Sequence, residues 1–140
     1  MNTKFETDGI KMINTIEQFG RNAGIIWEML DACGPLSESQ LMEFTSLRSY
    51  EFYVAVGWLA RENKIVKDDT LYRLDETNLT YEIGGNAGKI WNALRAQREA
   101  GIPYLSKLTK IKMSDAYCAL GWLARENKIQ IKTVEENNIK

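Results

Sequence analysis

The stretch GWLARENKI occupies residues 57–65, and the same nine letters occupy residues 121–129. When the chain is shifted by 64 residues against itself, residues 20–65 align with residues 84–129 without a gap, and 21 of the 46 aligned residues are identical. Agreement this dense at one fixed offset identifies an internal duplication. A unit of about 60 residues is near the lower size at which a domain folds alone, so we expect the copies to pack on each other or on a second chain.

The overall composition is that of a soluble globular protein, with 140 residues, 44% hydrophobic and 26% charged. No apolar run approaches the roughly 18 residues that a membrane helix needs, and the first residues show no signal-peptide pattern. We therefore expect a cytoplasmic protein with no membrane partner. The two cysteines, Cys33 and Cys118, stand at different positions of the two copies and have no metal-binding spacing, which favours small buried hydrophobic side chains.

The chain contains no histidine. This excludes histidine acid-base catalysis, catalytic triads and imidazole metal sites. The sequence also lacks a Walker-type phosphate loop, a GxGxxG turn and a cluster of acidic residues with metal-ligand spacing. It therefore predicts a protein that is not an enzyme and that uses no cofactor or metal ion.

The net charge of −1 hides a difference between the two halves of the chain. Residues 1–85 carry 8 basic and 14 acidic side chains, a balance of −6, whereas residues 86–140 carry 10 and 5, a balance of +5. A basic half attracts phosphate backbones, but it equally complements an acidic partner within the chain or across a dimer.

The first helix of each copy is indicated by apolar residues at helical spacing after an asparagine N-cap, Asn22 or Asn86. It is predicted to end near Gly34 in copy one and at Gly101 in copy two.

A short second helix follows at about residues 39–45 or 103–109. It begins with the capping box Ser-Glu-Ser-Gln in copy one and with a proline in copy two.

The third helix is predicted over about residues 49–63 and 114–127, after N-caps at Ser49 and Ser114. Beyond it the apolar period changes from 3.6 to 2. In copy one, residues 65–67 and 71–74 are typical of a β-hairpin around the turn residues Asp-Asp-Thr. Copy two offers one strand over residues 129–134, so its hairpin is truncated or is completed by another element.

Helix, helix, tight turn, helix and hairpin is the order of the winged helix-turn-helix. The phrases NAGIIWEML and AVGWLARENKI in copy one, with NAGKIWNAL and ALGWLARENKI in copy two, resemble small bacterial winged helix-turn-helix domains of unknown function, which are usually single. The resemblance implies an α+β, mostly helical fold of two tandem winged helix-turn-helix domains, the second with a truncated wing.

The corresponding domain boundaries follow from the repeat. We expect a loose N-terminal lead-in at residues 1–11, a first winged helix domain at 12–76, a linker or edge strand at 77–85 and a second domain at 86–140.

The third helix is apolar nearly all round, which is typical of a buried helix rather than of one that reads DNA. On one interpretation, all four tryptophans are core residues. On the other, Trp58 and Trp122 anchor a protein interface. The mid-helix glycines, Gly57 and Gly121, indicate a close approach by another helix. The Arg-Glu-Asn-Lys ending is interpreted as a solvated last turn whose lysine, Lys64 or Lys128, complements the helix dipole. The alternative is phosphate contact beside the wing.

A nucleic-acid site is better indicated in copy two than in copy one. Copy two has polar and basic residues where winged-helix proteins contact the DNA backbone: Lys107, Lys110, Lys112, Ser114, Lys128 and Lys132. Copy one has Glu43, Ser46 and Arg48 in place of the first three. A solvated lysine face explains the same pattern equally well.

Two functions remain open at this point. The first is a DNA-binding transcriptional regulator whose backbone contacts come mainly from the basic second domain, with duplex DNA as partner. The alternative is a protein interaction or dimerisation module, with a homodimer or another protein as partner, that keeps the winged-helix scaffold without sequence-specific readout.

Overall fold

A computed structural model describes residues 3–7 and 15–133 and covers the backbone alone at residues 3–7, 132 and 133. The helices are α1 (Thr15–Cys33), α2 (Glu38–Thr45), α3 (Ser49–Arg61), α4 (Gly85–Gln97), α5 (Ile102–Thr109) and α6 (Met113–Arg125). The strands are β1 (Thr3–Thr7), β2 (Leu36–Ser37), β3 (Ile65–Asp68), β4 (Leu71–Leu74), β5 (Glu99–Gly101) and β6 (Ile129–Thr133). The predicted α+β, mostly helical fold is confirmed. We call residues 15–74 unit one and residues 80–133 unit two.

The first helix of unit one begins well before its predicted N-cap. Asn22 lies inside α1 with 3% of its surface exposed, and its Oδ1 accepts a hydrogen bond from Gln18 Nε2 at 2.9 Å. Asn86 likewise lies inside α4. The predicted caps are wrong because apolar residues upstream continue the helix: Ile16 and Phe19 pack against the core of unit two.

The helix ends of the first half follow the local sequence. Gly34 takes φ +78 directly after α1, a left-handed conformation that glycine adopts without strain, so this end is confirmed. The predicted capping box is also confirmed: Ser37 Oγ accepts from Gln40 N at 3.2 Å, and Ser37 N donates to Gln40 Oε1 at 2.9 Å.

Two predicted helix boundaries are displaced. The α4 helix ends at Gln97 instead of Gly101, which belongs to β5, because Arg98 takes a positive φ of 71 and turns the chain there. Ser49 lies inside α3, whose cap is Arg48; in α6 the cap is Lys112 instead of Ser114. The backbone N–H of Arg48 donates to Glu51 Oε1 at 2.8 Å.

The wing of unit one is the predicted hairpin. Strands β3 and β4 pair antiparallel with Ile65 opposite Leu74, and β2 adds to β4, so the strand order is β2-β4-β3. Asp69 takes φ 59 in the turn, a conformation that aspartate tolerates better than most residues. Tyr72 in the middle strand is buried and packs edge to face on Phe52, with ring centroids 5.5 Å apart.

The wing of unit two is completed by the N-terminal strand. Strand β1 lies between β5 and β6 and runs parallel to both, which gives the order β5-β1-β6. Phe5 stands opposite Ala100 and Ile131. In unit one the equivalent residues, 64 positions earlier, are Leu36 and Lys67, and both stand opposite Tyr72. Phe5 therefore takes the place in unit two that Tyr72 has in unit one. The prediction of a loose lead-in is therefore wrong for residues 3–7, because the unpaired edges of β5 and β6 bind this strand; residues 1, 2 and 8–11 lie outside the described part of the chain.

The segment between the units forms no edge strand. Residues Thr80–Gly84 make a π-helical turn that leads directly into α4. Leu79 and Ile83 are 8% and 7% exposed and pack in the core of unit one. Burial of these two side chains at helical spacing explains why a helical conformation replaces the strand.

Each unit supplies residues to the core of the other. Phe19 and Val54 of unit one lie in the core of unit two, whereas Cys118 of unit two lies in the core of unit one beside Leu79 and Ile83. The expectation that the copies pack on each other is therefore confirmed. Neither core is complete without residues from the other half of the chain.

Candidate functional site

The two third helices cross at the glycines of the repeated phrase. A Cβ atom added to Gly57 would lie 1.8 Å from the carbonyl oxygen of Cys118, and one added to Gly121 would lie 1.9 Å from that of Val54. The backbones of α3 and α6 are therefore in direct contact at both points. Only glycine permits this approach, since any side chain would meet main-chain atoms that cannot rotate away.

Trp58 and Trp122 lie beside this crossing. A Cβ atom added to Gly20 in α1 would be 3.0 Å from Trp58 Cζ2, and one added to Gly84, directly before α4, would be 3.1 Å from Trp122 Cζ2. Both tryptophans also pack against both hydrophobic cores. They stand at a contact between the two units of one chain; a contact with a separate partner stays a prediction.

Arginines from the opposite unit cover the exposed sides of these indoles. The guanidinium carbon of Arg125 lies 5.7 Å from the ring centroid of Trp58, and that of Arg61 lies 5.7 Å from the ring centroid of Trp122. Such cation–π contacts contribute about 0.5–1 kcal/mol each at exposed sites. Because the two contacts are reciprocal, α3 and α6 are related as in a two-fold dimer.

The same arginines form ion pairs between the units. Arg61 Nε lies 2.9 Å from Glu126 Oε2, and Arg125 Nε lies 2.8 Å from Glu62 Oε2. The lysines of the phrase pair with the same carboxylates, Lys64 with Glu62 at 3.5 Å and Lys128 with Glu126 at 3.3 Å. The residues of this turn are mostly exposed, as predicted, and the turn also joins the two units.

The repetition of GWLARENKI has a physical explanation in these contacts. In a two-fold arrangement each surface must be complementary to itself, so both partners need the same residues. Each copy provides the glycine of the crossing, an indole, the arginine that covers the other indole and the carboxylate that binds the other arginine. The phrase is the interface of an internal pseudo-dimer.

The other two tryptophans, Trp27 and Trp91, differ in how far they are buried. Trp27 is 37% exposed, so the interpretation that all four tryptophans are buried is wrong for this residue. Trp91 is half-buried, and the charged groups of Arg95 and Lys128 lie 5.8 and 5.7 Å from its ring centroid. Trp91 packs against the core of unit two, whereas Trp27 belongs to neither core.

The third helices offer little surface to a ligand. Seven of the thirteen residues of α3 are buried, namely Phe52, Val54, Ala55, Val56, Gly57, Leu59 and Ala60. The equivalent residues of α6 are buried as well: Ala116, Cys118, Ala119, Leu120, Gly121, Leu123 and Ala124. Beyond the first turn, neither helix has a free polar face that could enter a major groove, because each occupies the face of the other.

The structure brings together part of the predicted nucleic-acid site. Lys107, Lys110 and Lys112 are exposed around the turn between α5 and α6 and make no ion pair with any described residue. We call these three residues the basic corner. Ser114, half-buried in the first turn of α6, lies next to it.

The other two predicted residues lie elsewhere. Lys128 follows the opposite end of α6, about 20 Å from the basic corner for a helix of 13 residues, and is engaged with Glu126 and Trp91. The backbone of Lys132 lies in β6, and its side chain is outside the described part of the structure. Three of the six predicted residues therefore lie around the turn between α5 and α6.

A cleft of about 700 Å³ lies between the wing of unit one and the start of α4. Tyr72 and Cys118 contribute to its lining, and burial raises the pKa of both groups. Its charged lining residues are two lysines and two carboxylates, Lys67, Lys89, Glu82 and Asp115. These charges balance, so the cleft has no net preference for an anion or a cation.

The two cysteines differ in exposure. Cys118 is buried, as predicted, but Cys33 is exposed on the last turn of α1, which corrects the interpretation of both as buried. Burial raises the pKa of the Cys118 thiol, which reduces the thiolate fraction.

This difference predicts two rates of thiol modification. In the native protein, Ellman's reagent should modify Cys33 rapidly and Cys118 at least about a hundredfold more slowly, because the buried thiol reacts only on opening of the fold. Absorbance of the released thiolate follows both phases. The variant Cys33→Ser should retain only the slow phase; two equally fast thiols in the native chain would contradict the buried position of Cys118.

Three helices followed by a β-sheet wing, present twice, define a tandem winged helix-turn-helix protein. The sequence model of a family described as a winged helix-turn-helix domain, DUF2582, matches residues 12–78 and again residues 74–139. The chain belongs to this family, and it contains two copies of the domain. No curated protein and no solved structure shows a significant match to it.

Two further observations apply to the described residues. Within residues 3–7 and 15–133, no helix combines the length and apolar character needed to cross a membrane. In the same part of the chain, no group of three or more cysteine, aspartate or glutamate side chains is placed to hold a metal ion.

Proposed function

We propose that this protein is a protein-interaction module built on a tandem winged-helix scaffold, without sequence-specific DNA readout and without catalytic activity. One observation carries the proposal: the helices that winged-helix proteins place in the major groove pack against each other through Gly57 and Gly121. Readout would require these helices to separate. Separation would expose both sets of buried residues and break the reciprocal contacts of Trp58 and Trp122.

The accessible ends of the third helices also favour this function. The first turn of each third helix carries a carboxylate, Glu51 in α3 and Asp115 in α6. A carboxylate at this position repels the phosphate backbone that a reading helix must approach. The outer surfaces of the two units are therefore better suited to bind protein.

A second candidate function rests on the basic corner. Its three lysines are exposed and lack carboxylate partners among the described residues, and such a group binds DNA phosphates without reading sequence. Neutralising about three phosphates gives a slope near −2.7 in log K against log salt. Binding of this kind is weak at physiological ionic strength, and the whole chain carries a net charge of −1.

The test combines a selection with a salt titration, both with the full chain. Selection from a pool of duplexes with randomised sequence is expected to enrich no common motif. Enrichment of one motif, with binding lost on mutation of that motif, would overturn the proposed function.

Fluorescence anisotropy with a labelled duplex then tests the second candidate between about 50 and about 300 mM salt. Alanine substitution of all three basic-corner lysines should abolish any binding seen at low salt. The matched control removes three exposed lysines elsewhere, Lys64, Lys67 and Lys89. If both triple variants lost the same amount of DNA affinity, the binding would depend on net charge alone, and the basic corner would not be a specific DNA-binding site.

A further inference from the structure

We propose that molecules of this protein associate head to tail, with the α2 surface of unit one in one molecule bound to the α5 surface of unit two in the next. This inference rests on the proposed function and names the partner, a second copy of this chain. We call the exposed side of α2, with Gln40, Glu43 and Phe44, the acidic face. The equivalent side of α5, with Tyr104, Lys107 and Leu108, is the basic face.

Both faces expose large apolar side chains. Phe44 and Leu108 are each 49% exposed, and Tyr104 is 50% exposed. Phe44 and Leu108 are equivalent in the repeat, so the duplication places an apolar residue at the same point of both surfaces. Met113, which is 41% exposed at the start of α6, extends the basic face. Apolar side chains grouped in this way beside charges are typical of protein interfaces.

The charges of the two faces are opposite. Residues 38–51 carry three carboxylates and one arginine, a balance of −2, whereas the equivalent residues 102–115 carry three lysines and one aspartate, a balance of +2. Phe44 and Leu108 each follow a charged residue on the same helix, Glu43 and Lys107. Two acidic faces repel each other, as do two basic faces, whereas an acidic face attracts a basic one.

The two faces belong to different cores of the molecule. Leu41 anchors α2 in the core of unit one, and Leu105 anchors α5 in the core of unit two, each fully buried. The contact uses a different surface on each partner, so a bound pair keeps one free acidic face on one molecule and one free basic face on the other. The association therefore continues beyond a dimer and depends on protein concentration. Because charge contributes to it, it also weakens as salt rises.

The experiment is sedimentation velocity of the full chain over a range of concentrations, at about 50 and about 500 mM salt. At low salt the average mass should rise with concentration above the 16.0 kDa of one chain, and high salt should reverse the rise. Charge reversal by Glu43→Lys, or by Lys107→Glu, should weaken association about tenfold or more. The double variant with both reversals should restore it, as should a mixture of the two single variants.

The matched control is Glu76→Lys, which makes the same charge change at an exposed residue after β4 and should associate like the unchanged chain. Circular dichroism confirms that each variant is folded. A constant mass of one chain at every concentration would overturn the proposal, as would single reversals without effect or a double variant that fails to recover.

These outcomes separate the two proposals. A chain that remains monomeric and enriches no DNA motif contradicts head-to-tail association and leaves the interaction module with another partner. Enrichment of a DNA motif contradicts the proposed function whatever the state of association.

Discussion

Replacing Gly57 with alanine is expected to lower the free energy of unfolding by about 3 kcal/mol or more, toward the upper end of the range for overpacked sites. The added methyl carbon would lie 1.8 Å from the carbonyl oxygen of Cys118, far inside van der Waals contact. The obstacle is main chain, so relief requires α3 and α6 to move apart. Gly121→Ala should have a similar effect, since its methyl carbon would lie 1.9 Å from the carbonyl oxygen of Val54.

The matched controls are glycines in the interiors of the first helices. Gly24 in α1 and Gly88 in α4 have open space where a Cβ atom would stand. Alanine at either site should raise stability by about 0.5–1 kcal/mol, because alanine loses less conformational entropy in a helix. Urea denaturation measures all four variants. If Gly57→Ala were as stable as Gly24→Ala, the third helices would not be in backbone contact.

Replacing Trp58 with alanine is the second change with a large expected effect, a loss of about 3 kcal/mol in the free energy of unfolding. The indole packs against both cores and covers Gly20, so its removal leaves a cavity where the two units meet. It also removes the ring beneath the guanidinium of Arg125. Trp122→Ala should cost a similar amount because its surroundings are equivalent.

Trp27→Ala is the matched control, because it makes the same tryptophan-to-alanine change away from the crossing. Trp27 is 37% exposed and is absent from the packing around both cores, so its loss should cost less than about 1 kcal/mol. Chemical denaturation followed by circular dichroism avoids dependence on tryptophan fluorescence. If Trp27→Ala and Trp58→Ala lowered the free energy of unfolding equally, packing at the crossing of α3 and α6 would contribute no more to stability than an exposed tryptophan does.

Several elements could be predicted from the sequence because their causes are local. The capping box at Ser37 and Gln40 depends on residues three positions apart. The hairpin of unit one follows from alternating apolar residues around a turn of short polar side chains. The two glycines of the repeated phrase correctly indicated a close helix, since mid-helix glycine is destabilising unless packing requires it.

Other elements depend on distant parts of the chain. The early start of α1 is set by burial of Phe19 in the core of unit two, which no local signal at Asn22 reveals. The pairing of β1 with strands more than 90 residues away is likewise a long-range choice. The cross-pairing of Arg61 with Glu126 had one available signal, the repetition of Arg-Glu itself, since a self-complementary contact requires opposite charges in each copy.

For the candidate nucleic-acid site too, the sequence predicted some features and not others. The sequence identified the excess of basic residues in copy two, and composition alone is sufficient for that. It could not show that Lys128 pairs with Glu126 and lies over the ring of Trp91. Whether a lysine is free or engaged depends on which faces of the helices are buried. That is decided only when the helices of both copies pack together.

The sequence by itself determined that the chain is a duplicated winged helix-turn-helix protein, because periodicity, caps and the repeat are properties of neighbouring residues. Only the tertiary structure decided what the repeated GWLARENKI does. The phrase could have been a solvated turn, a core segment or a surface for another molecule. It joins the two copies because the apolar faces of α3 and α6, which neither unit can bury alone, exclude water most completely against each other.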